Sequence, residues 1–357
     1  MRAGGGLPFK RVLNRPTLNI LTLTEPEPPS RRNPDSPGKG CFFMAKIAII
    51  GAGQVGATAA YTLAVSGLAQ EIAVVDLNVN LARGVANDIA HGMPFCAPTR
   101  LSSGSYEAAE GADLIFMTAG ASQRPGESRR NLAGRNLQVM ESACSEIVRR
   151  APAAVLVVVS NPLDALTRAA ADITGFPARR VFGSGTVLDT MRLRAMLADH
   201  AGVDARNVHA YVLGEHGDSE LPAWSLARIA GMSLAEYCGV QEPTQAFAGI
   251  LNRRFEAEVR DAAYALIEQK GSTCYAVALA MKRIASAVLR DERAILTVSA
   301  PLNGEYGLRD VALSLPCVVG RAGIVRILTP TLSSGELDAL KISAGAIQAT
   351  LPERVPG

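Results

Sequence analysis

The sequence of 357 residues predicts an α/β protein, in which a doubly wound parallel sheet is followed by a second, mixed α+β domain. Three observations support this class. Short apolar segments alternate with helical patterns in the first half of the chain, a glycine-rich turn follows the first of those segments, and the alternation becomes irregular after about Gly183. The length is also sufficient for two domains of ordinary size.

The first half of the folded chain alternates between predicted strands and predicted helices. Strands that are buried on both faces of a parallel sheet appear as unbroken apolar runs, and the connecting helices pack on the two faces. Such runs occur at Lys46–Ile50, Ile72–Val75, Leu114–Thr118 and Val155–Val159, with helical patterns at Val55–Ser66 and Asn131–Arg150. We therefore expect residues 44–183 to form a doubly wound domain.

The second half mixes element types, and we expect residues 184–357 to form an α+β substrate domain. A helix is predicted first, at Val187–Ala201, and strand-like segments follow around Val208–Leu213. The remaining predicted elements are two helical stretches within Gln245–Leu289, apolar strands at Ala294–Val298 and Ile324–Leu328, and a last helix near Leu332–Thr350.

Residues 1–43 differ from the rest of the chain in composition. They contain seven of the twenty prolines and show no periodicity, so we expect a disordered extension. No apolar segment resembles a secretory signal, and the acidic residues Glu25, Glu27 and Asp35 argue against the alternative of an organelle transit peptide. Met44 could be the true translation start, since the first predicted strand begins two residues later.

Composition and charge exclude several classes of protein. Hydrophobic residues make up 48% of the chain and charged residues 19%, which excludes wholesale disorder. No segment approaches the roughly 20 consecutive apolar residues of a membrane-spanning helix. The formal net charge of +3 comes from the extension, whose seven basic and three acidic side chains leave the remainder at −1. A body this close to neutral argues against nucleic acid as a partner.

The cysteines indicate a reducing compartment. The chain has six, and none lies in a C-x-x-C motif that would suggest a zinc site or a disulfide framework. We therefore expect free thiols, a cytoplasmic location and no bound metal. The positions are Cys41, Cys96, Cys144, Cys238, Cys274 and Cys317.

The glycine-rich turn predicts a dinucleotide site of the Rossmann type. Its glycines are Gly51, Gly53 and Gly56, with Gln54 and Val55 between the last two, and it follows a strand and opens a helix. Such a turn brings a pyrophosphate close to the main chain at the helix N-terminus. Asp76 ends the second strand, 20 residues after the last glycine, where an acid meets the adenosine ribose. Because a carboxylate there repels a 2′-phosphate, we expect NAD rather than NADP as the cofactor.

Beyond this fingerprint, the sequence resembles the lactate/malate dehydrogenase family over about residues 45–350. The resemblance rests on five segments in the family's order. They are 51–56 (GAGQVG), 120–129 (GASQRPGESR), 160–164 (SNPLD), 188–192 (LDTMR) and 214–218 (GEHGD). The family implies an NAD-dependent oxidoreductase of glycolysis and fermentation, which transfers a hydride between a 2-hydroxy acid and the nicotinamide. It also implies that Gly120 and Asn161 contact the cofactor.

His216 is the predicted acid–base catalyst. The ordinary pKa of imidazole near 6.5 suits proton transfer in both directions near neutral pH. The resemblance places Asp189 behind the ring, where its carboxylate would fix the tautomer and stabilise the imidazolium. Asp189 and Arg192 are three residues apart on one predicted helix, so they share a face.

The resemblance assigns substrate-binding roles to three further side chains. Arg192 would bind the substrate carboxylate with its planar guanidinium. Arg129 would reach the carbonyl oxygen from a loop that closes over the substrate and expels water. Asn161 would help to hold the same oxygen at the carboxyl edge of the sheet.

Gln123 predicts lactate rather than malate as the substrate. The family's malate enzymes carry an arginine at this position, which neutralises the second carboxylate of their substrate. A neutral amide would leave that carboxylate unpaired in a closed site, at a cost of several kcal/mol. Thr273 matches the family's threonine beside the substrate methyl, so pyruvate and lactate are the expected substrate pair.

Arg194 and His209 match positions where allosteric bacterial members of the family bind fructose 1,6-bisphosphate between subunits. This match predicts the same effector here, together with a homo-oligomer that is a tetramer. The alternative is that both side chains are solvated charges at an ordinary interface.

Arg130 departs from the family, which usually has an apolar residue after the loop arginine. A second cation there could affect the rate of loop closure rather than the type of reaction. Two other functions remain open from the sequence. One is a related enzyme for malate or a larger 2-hydroxy acid, and the other is a non-catalytic NAD-binding scaffold.

Overall fold

The structure is a computed structural model, and it describes residues 45–121, 129–237 and 245–350, leaving aside the side chains at 129–130, 245–253 and 263. These residues lie within one compact unit, Met44–Gly357. The disorder expected for residues 1–43 concerns residues outside the described ranges and stays a prediction.

The described residues form fourteen strands and nine α-helices. The strands are β1 (Lys46–Ile50), β2 (Glu71–Val75), β3 (Arg100–Gly104), β4 (Leu114–Met117), β5 (Val155–Val158), β6 (Val181–Gly183), β7 (Val208–His209), β8 (Val212–Leu213), β9 (Leu221–Pro222), β10 (Arg228–Ile229), β11 (Met232–Ser233), β12 (Ala294–Asn303), β13 (Arg309–Gly320) and β14 (Gly323–Ile327). The helices are α1 (Gln54–Ser66), α2 (Val79–Gly92), α3 (Arg129–Arg150), α4 (Leu163–Thr174), α5 (Val187–Ala201), α6 (Leu234–Tyr237), α7 (Gln245–Lys270), α8 (Tyr275–Leu289) and α9 (Ser334–Thr350).

The first six strands form a parallel sheet in the order β3-β2-β1-β4-β5-β6. The order reverses between β1 and β4, which is the position where doubly wound sheets bind their ligands. Ile47 of β1 lies beside Ile72 on one side and Leu114 on the other. The sheet confirms the predicted fold class.

Three antiparallel strands extend the same sheet. β12 pairs with β6 through Ser299 and Gly183, and β13 and β14 follow beyond it. The nine strands therefore form one continuous sheet across residue 183 within the described chain. The expected division into domains 44–183 and 184–357 stays a prediction.

Strand β13 was not among the strands predicted from the sequence. It spans twelve residues and is buried over most of its length. Pro316 interrupts its apolar run, and proline is rare in central strands because it cannot donate a main-chain hydrogen bond. Its carbonyl still takes part in the sheet, since it accepts a bond from the Leu328 N–H at 2.8 Å.

The core lies on both faces of the sheet. Ile47 and Ile49 belong to one buried cluster, whereas Ala48 and Ile50 belong to another that includes Met140 of α3. Alternate residues of β1 thus point to opposite faces, and both faces are covered. This double burial explains why the parallel strands appear as unbroken apolar runs in the sequence.

A third buried cluster joins α5 to the small sheets that follow it. Leu193 and Leu197 of α5 pack with Val208, Ile229 and Phe255. This packing fixes the orientation of α5, whose first turn contributes to the candidate site. Among the helices in the described ranges, none is long and apolar enough to cross a membrane.

Candidate active site

A histidine and an aspartate form the centre of the candidate site. His216 lies in the loop between β8 and β9, and Asp189 lies in the first turn of α5. The His216 Nδ1 and an Asp189 carboxylate oxygen are 2.7 Å apart. Asp189 is only 1% exposed, whereas the His216 side chain keeps 28% exposure toward a cleft. The contact therefore leaves the other ring nitrogen, Nε2, as the one that can reach a ligand.

Arg192 completes this cluster. Its guanidinium donates a hydrogen bond of 2.7 Å to the second oxygen of Asp189, so the two carboxylate oxygens serve different partners. We call His216, Asp189 and Arg192 the catalytic cluster. Asp189 holds both of the other side chains in place, and the three-residue spacing on α5 allows it to do so.

Three elements hold the loop that carries His216. The main-chain N–H of Glu215 donates to Ser343 Oγ of α9 at 2.7 Å. The N–H of His216 donates to Asp164 Oδ2 of α4, also at 2.7 Å. Gly214 exchanges two main-chain bonds of 3.0 Å with Ser314 of β13. The loop is therefore fixed at successive residues, which limits the movement of the imidazole.

Two adjoining cavities meet at His216 and Asn161. The larger is lined by the whole catalytic cluster. The smaller contains Thr273 and reaches Val55 at the start of α1. His216, the predicted proton-transfer residue, thus lies between the larger cavity, which charged groups line, and the smaller cavity, which leads to the glycine-rich turn.

Asn161 is held by a residue that the sequence analysis did not identify. Asn136 of α3 is buried, and its Nδ2 donates to the Asn161 carbonyl at 2.7 Å. The same side chain exchanges hydrogen bonds with the main chain of Ala121, next to Gly120. The only sequence signal for this role is a polar residue within the buried stripe of an amphipathic helix.

Nearby charges shift the pKa values of the catalytic cluster. Burial by itself lowers the pKa of His216, but the carboxylates of Asp189, Asp164 and Glu220 raise it to about 9. Burial by itself raises the pKa of the Asp189 carboxyl, but His216 and Arg192 hold that pKa below its usual range. The site therefore favours a protonated imidazole beside an ionised carboxylate.

Glu220 also lines the larger cavity, and the sequence analysis did not identify it. Burial, together with the Asp189 charge, raises the pKa of Glu220 to about 8. Ligand atoms of Asp189, His216 and Glu220 lie within 4.8 Å of one another, which is compatible with a metal ion. Both oxygens of Asp189 already have partners, so we interpret this group as acid–base machinery. The absence of a metal stays a prediction.

The glycine-rich turn has the backbone geometry that a dinucleotide requires. Gly51 has φ +106°, and a Cβ on Gly56 would lie 1.8 Å from the Gly51 carbonyl oxygen. Gly53 is exposed at the N-terminus of α1, with open space where a side chain would be. Gly51 and Gly56 thus allow the tight packing of turn and helix, and Gly53 leaves room for a ligand.

Asp76 lies beside this turn, at the end of β2. Its Oδ2 accepts a bond of 2.7 Å from the Ala52 N–H, and its Oδ1 accepts one of 2.8 Å from the Asn78 N–H. The carboxylate is thereby fixed next to the glycine-rich turn, where the ribose of a dinucleotide is expected.

Several predicted site residues lie outside the described part of the chain. Gln123 does, and so do the side chains of Arg129 and Arg130, although α3 begins at Arg129. Arg194 is described, and its Nε donates to the Ala210 carbonyl at 3.0 Å while its guanidinium lies 5.3 Å from the centre of the Tyr211 ring. His209, next to Ala210, is exposed.

Comparison with known proteins gives consistent results over most of the chain. Residues 45–183 match the lactate/malate dehydrogenase NAD binding domain, and residues 186–355 match the alpha/beta C-terminal domain of the same family. The first match confirms the prediction of NAD as the cofactor.

Individual relatives are similar over nearly their whole length. An L-lactate dehydrogenase of Thermoanaerobacter sp. (strain X514) is 48% identical over 87% of this chain and 99% of its own. L-lactate dehydrogenase 1 of Clostridium acetobutylicum is 47% identical over 86% of this chain and 97% of its own. The crystal structure of the minor L-lactate dehydrogenase from Enterococcus mundtii superposes with a TM-score of 0.81 at 35% identity, covering 86% of this chain and 97% of that one. This chain belongs to the lactate/malate dehydrogenase family.

Proposed function

We propose that the chain is an NAD-dependent L-lactate dehydrogenase, which interconverts (S)-lactate and pyruvate. The observation that supports this most directly is the catalytic cluster, in which one carboxylate holds both an imidazole and a guanidinium at 2.7 Å. That arrangement provides one proton-transfer group and one anion-binding group at the same cleft. The relatives described above, which are named for this activity, support the same choice.

His216 would move the proton of the reaction. Its Nδ1 is engaged with Asp189, so Nε2 would donate a proton to the carbonyl oxygen of pyruvate or accept one from the hydroxyl of lactate. The Asp189 carboxylate stabilises the imidazolium that exists before reduction and after oxidation. Bound NAD, which fits the open space at Gly53 and the carboxylate of Asp76, supplies the hydride acceptor or donor.

Two arginines would hold the substrate. Arg192 lines the larger cavity next to His216, and its planar guanidinium suits a two-point contact with the substrate carboxylate. Arg129, which the sequence predicts on a closing loop, would polarise the carbonyl as water is expelled. Asn161, which lines both cavities, would contact the same oxygen and the cofactor.

Substrate choice would depend on Gln123 and Thr273. A neutral amide at position 123 gives no partner to a second carboxylate, and such a group would be excluded from a closed site. Thr273 lines the smaller cavity together with His216, which suits a position beside the methyl group of pyruvate.

The test is an NADH oxidation assay over pyruvate, oxaloacetate and branched 2-keto acids. We expect pyruvate to have the highest kcat/KM, and His216→Gln to abolish most of the activity. His91→Gln is the matched control, because His91 is an exposed histidine in the last turn of α2. A higher kcat/KM for oxaloacetate or for a branched acid than for pyruvate would contradict lactate and pyruvate as the substrate pair. Binding of NADH without oxidation would instead indicate a non-catalytic scaffold.

We also infer that the enzyme is a cytoplasmic homotetramer. Fructose 1,6-bisphosphate would activate it by binding at Arg194 and His209. Arg194 donates to the Ala210 carbonyl, and the exposed His209 is the residue before Ala210 in the chain. A guanidinium is suited to binding a phosphate group. Activity at low pyruvate and near-neutral pH should rise when the sugar bisphosphate is added. A flat response would contradict this inference, and light scattering would give the number of subunits.

A further inference from the structure

Asp164 is a buried carboxylate to which the proposed reaction assigns no task. It lies in the first turn of α4, three residues after Asn161, and only 2% of it is exposed. Its Oδ2 accepts the main-chain N–H of His216 at 2.7 Å. Its other oxygen, Oδ1, is buried and forms no hydrogen bond of normal geometry among the described residues, but the Ser299 hydroxyl on β12 is close enough to lower the pKa of this carboxyl.

An ionised carboxylate is energetically costly in such a buried place, so an aspartate there calls for an explanation in which the charge itself matters. An ionised carboxylate loses much of its hydration on burial, and at Asp164 this loss outweighs the hydrogen bonds that stabilise the charge. A neutral side chain with a carbonyl oxygen, such as asparagine, would accept the same N–H bond at lower cost. The hydrogen bond alone therefore does not account for an aspartate at position 164.

The packing of α4 brings this carboxylate to the catalytic loop. Gly183 of β6 has no side chain, and a Cβ there would lie 2.5 Å from both Leu163 and Thr167 of α4. The helix therefore rests directly on the strand. Its first turn can then reach the loop of His216, although 52 residues separate the two positions in the sequence.

We propose that Asp164 is a positioning residue, which holds the His216 main chain through its oxygen and stabilises the protonated imidazole through its charge. This role rests on the proposed function and deepens it. Asp189 would then orient the ring from one side, while Asp164 would act on the same histidine through its main chain.

The other charges around His216 are accounted for as well. The titratable groups that line the cavity with it are Asp189 and Arg192 from α5, Glu215, Asp218 and Glu220 from its own loop, and Arg260 and Tyr264 from α7, while Asp164 of α4 bonds its main chain. Asp164 is among the carboxylates that raise the pKa of His216 to about 9. Burial raises the pKa of Asp164 itself to about 6, so it is ionised at the pH where His216 loses its proton.

The decisive experiment is the pH profile of pyruvate reduction by Asp164→Asn. Reduction requires a protonated His216, so kcat/KM falls as the pH rises through the pKa of that group. The variant keeps an oxygen for the His216 N–H but lacks the charge. We expect its falling limb to move to lower pH by about one unit, with the low-pH plateau changed by less than about threefold.

A second variant at position 164 separates the hydrogen bond from the charge, and a variant elsewhere on α4 is the control. Asp164→Ala removes both, and we expect the plateau itself to fall by about 10- to 100-fold because the imidazole is misplaced. Asp172→Asn is the control, since Asp172 lies on the same helix in an ion pair with Arg168 and away from the site. It should keep the wild-type pH profile.

Thermal unfolding distinguishes this role from a structural one. A buried carboxyl with a raised pKa opposes folding at neutral pH, so Asp164→Asn should have an unchanged or higher Tm. A lower Tm with an unshifted pH profile would overturn the proposal. A wild-type protein that reduces no 2-keto acid would instead reject the proposed function, so the two failures can be told apart.

Discussion

Two regions of the molecule meet at His216 and Asn161, and they are built in opposite ways. The cofactor turn, by which we mean residues 51–56 with Asp76, is confined to residues 51–76 of the sequence and relies on its main chain and on missing side chains. The catalytic cluster joins α5 to a distant loop, and it consists of charged side chains that fix one another. The first region should therefore be sensitive to added volume, and the second to lost charge.

Asp189→Asn should produce the largest effect, because it removes the charge that the rest of the catalytic cluster depends on. The asparagine cannot stabilise the imidazolium of His216, and it leaves Arg192 without its ionic partner. We expect kcat/KM for pyruvate to fall by about 10³- to 10⁴-fold. Steady-state assays of NADH oxidation would measure this loss.

The control for this variant is Asp199→Asn, which removes an exposed carboxylate from the same helix. It should change kcat/KM by less than about twofold. A fall of less than tenfold in Asp189→Asn would show that the charge of Asp189 is not what the cluster depends on.

The contrast between the regions also explains what the sequence could predict. The parallel strands and the glycine-rich turn have local signals, namely apolar runs and glycine spacing, and the structure contains both. Asn136 has no such signal, and Asp164, although it lies in the 160–164 segment, has none that points to His216. Their partners lie 25 and 52 residues away, so their roles arise only when α3 and α4 pack against the sheet.

Strand β13 was missed for a related reason. Pro316 interrupts its apolar run and lacks the N–H that a central strand uses, so the local pattern of this segment is only a weak signal for a strand. In the folded chain the strand is flanked by β12 and β14, and pairing on both sides stabilises it. Tertiary contacts of this kind are absent from any local pattern.

Gln123→Arg should change the substrate preference of the catalytic region by adding charge. The new guanidinium would pair with the second carboxylate of oxaloacetate, which a glutamine leaves unpaired. We expect the ratio of kcat/KM for oxaloacetate over pyruvate to rise by about 10³-fold. Gln348→Arg, on the exposed face of α9, is the matched control and should leave the ratio unchanged. An unchanged ratio in the first variant would remove Gln123 from substrate selection.

Two alanine substitutions test the cofactor turn by adding volume. Gly56→Ala places a Cβ against the Gly51 carbonyl, and it should lower the free energy of unfolding by about 1–3 kcal/mol. Gly53→Ala meets no protein atom, so its Tm should match the wild type.

The same pair separates folding from cofactor binding. The methyl of Gly53→Ala would occupy the space for the pyrophosphate, and we expect the KM for NADH to rise by about tenfold with little change in kcat. Calorimetry and NADH titration measure the two effects. Equal Tm values for both alanine variants would contradict the packing argument.

The smallest predicted effect is the dependence of stability on pH in the catalytic region. The pKa of His216 in the folded protein is about 9, above its ordinary value of 6.5. The stability that the protonated ring contributes is therefore fully present below pH 6.5 and is lost as the pH rises through 9. Because the ring keeps some contact with solvent, we expect this contribution to be about 1–2 kcal/mol.

Asp164 and Glu220 act in the same direction, since the folded-state pKa values of their carboxyls are also raised, to about 6 and about 8. The wild-type Tm should therefore fall between pH 6 and pH 9, and His216→Gln should show a shallower fall. His91→Gln, which removes an exposed histidine, should show the same dependence of Tm on pH as the wild type. Parallel curves for wild type and His216→Gln would mean that the carboxylates, rather than the imidazole, carry the pH dependence of this region.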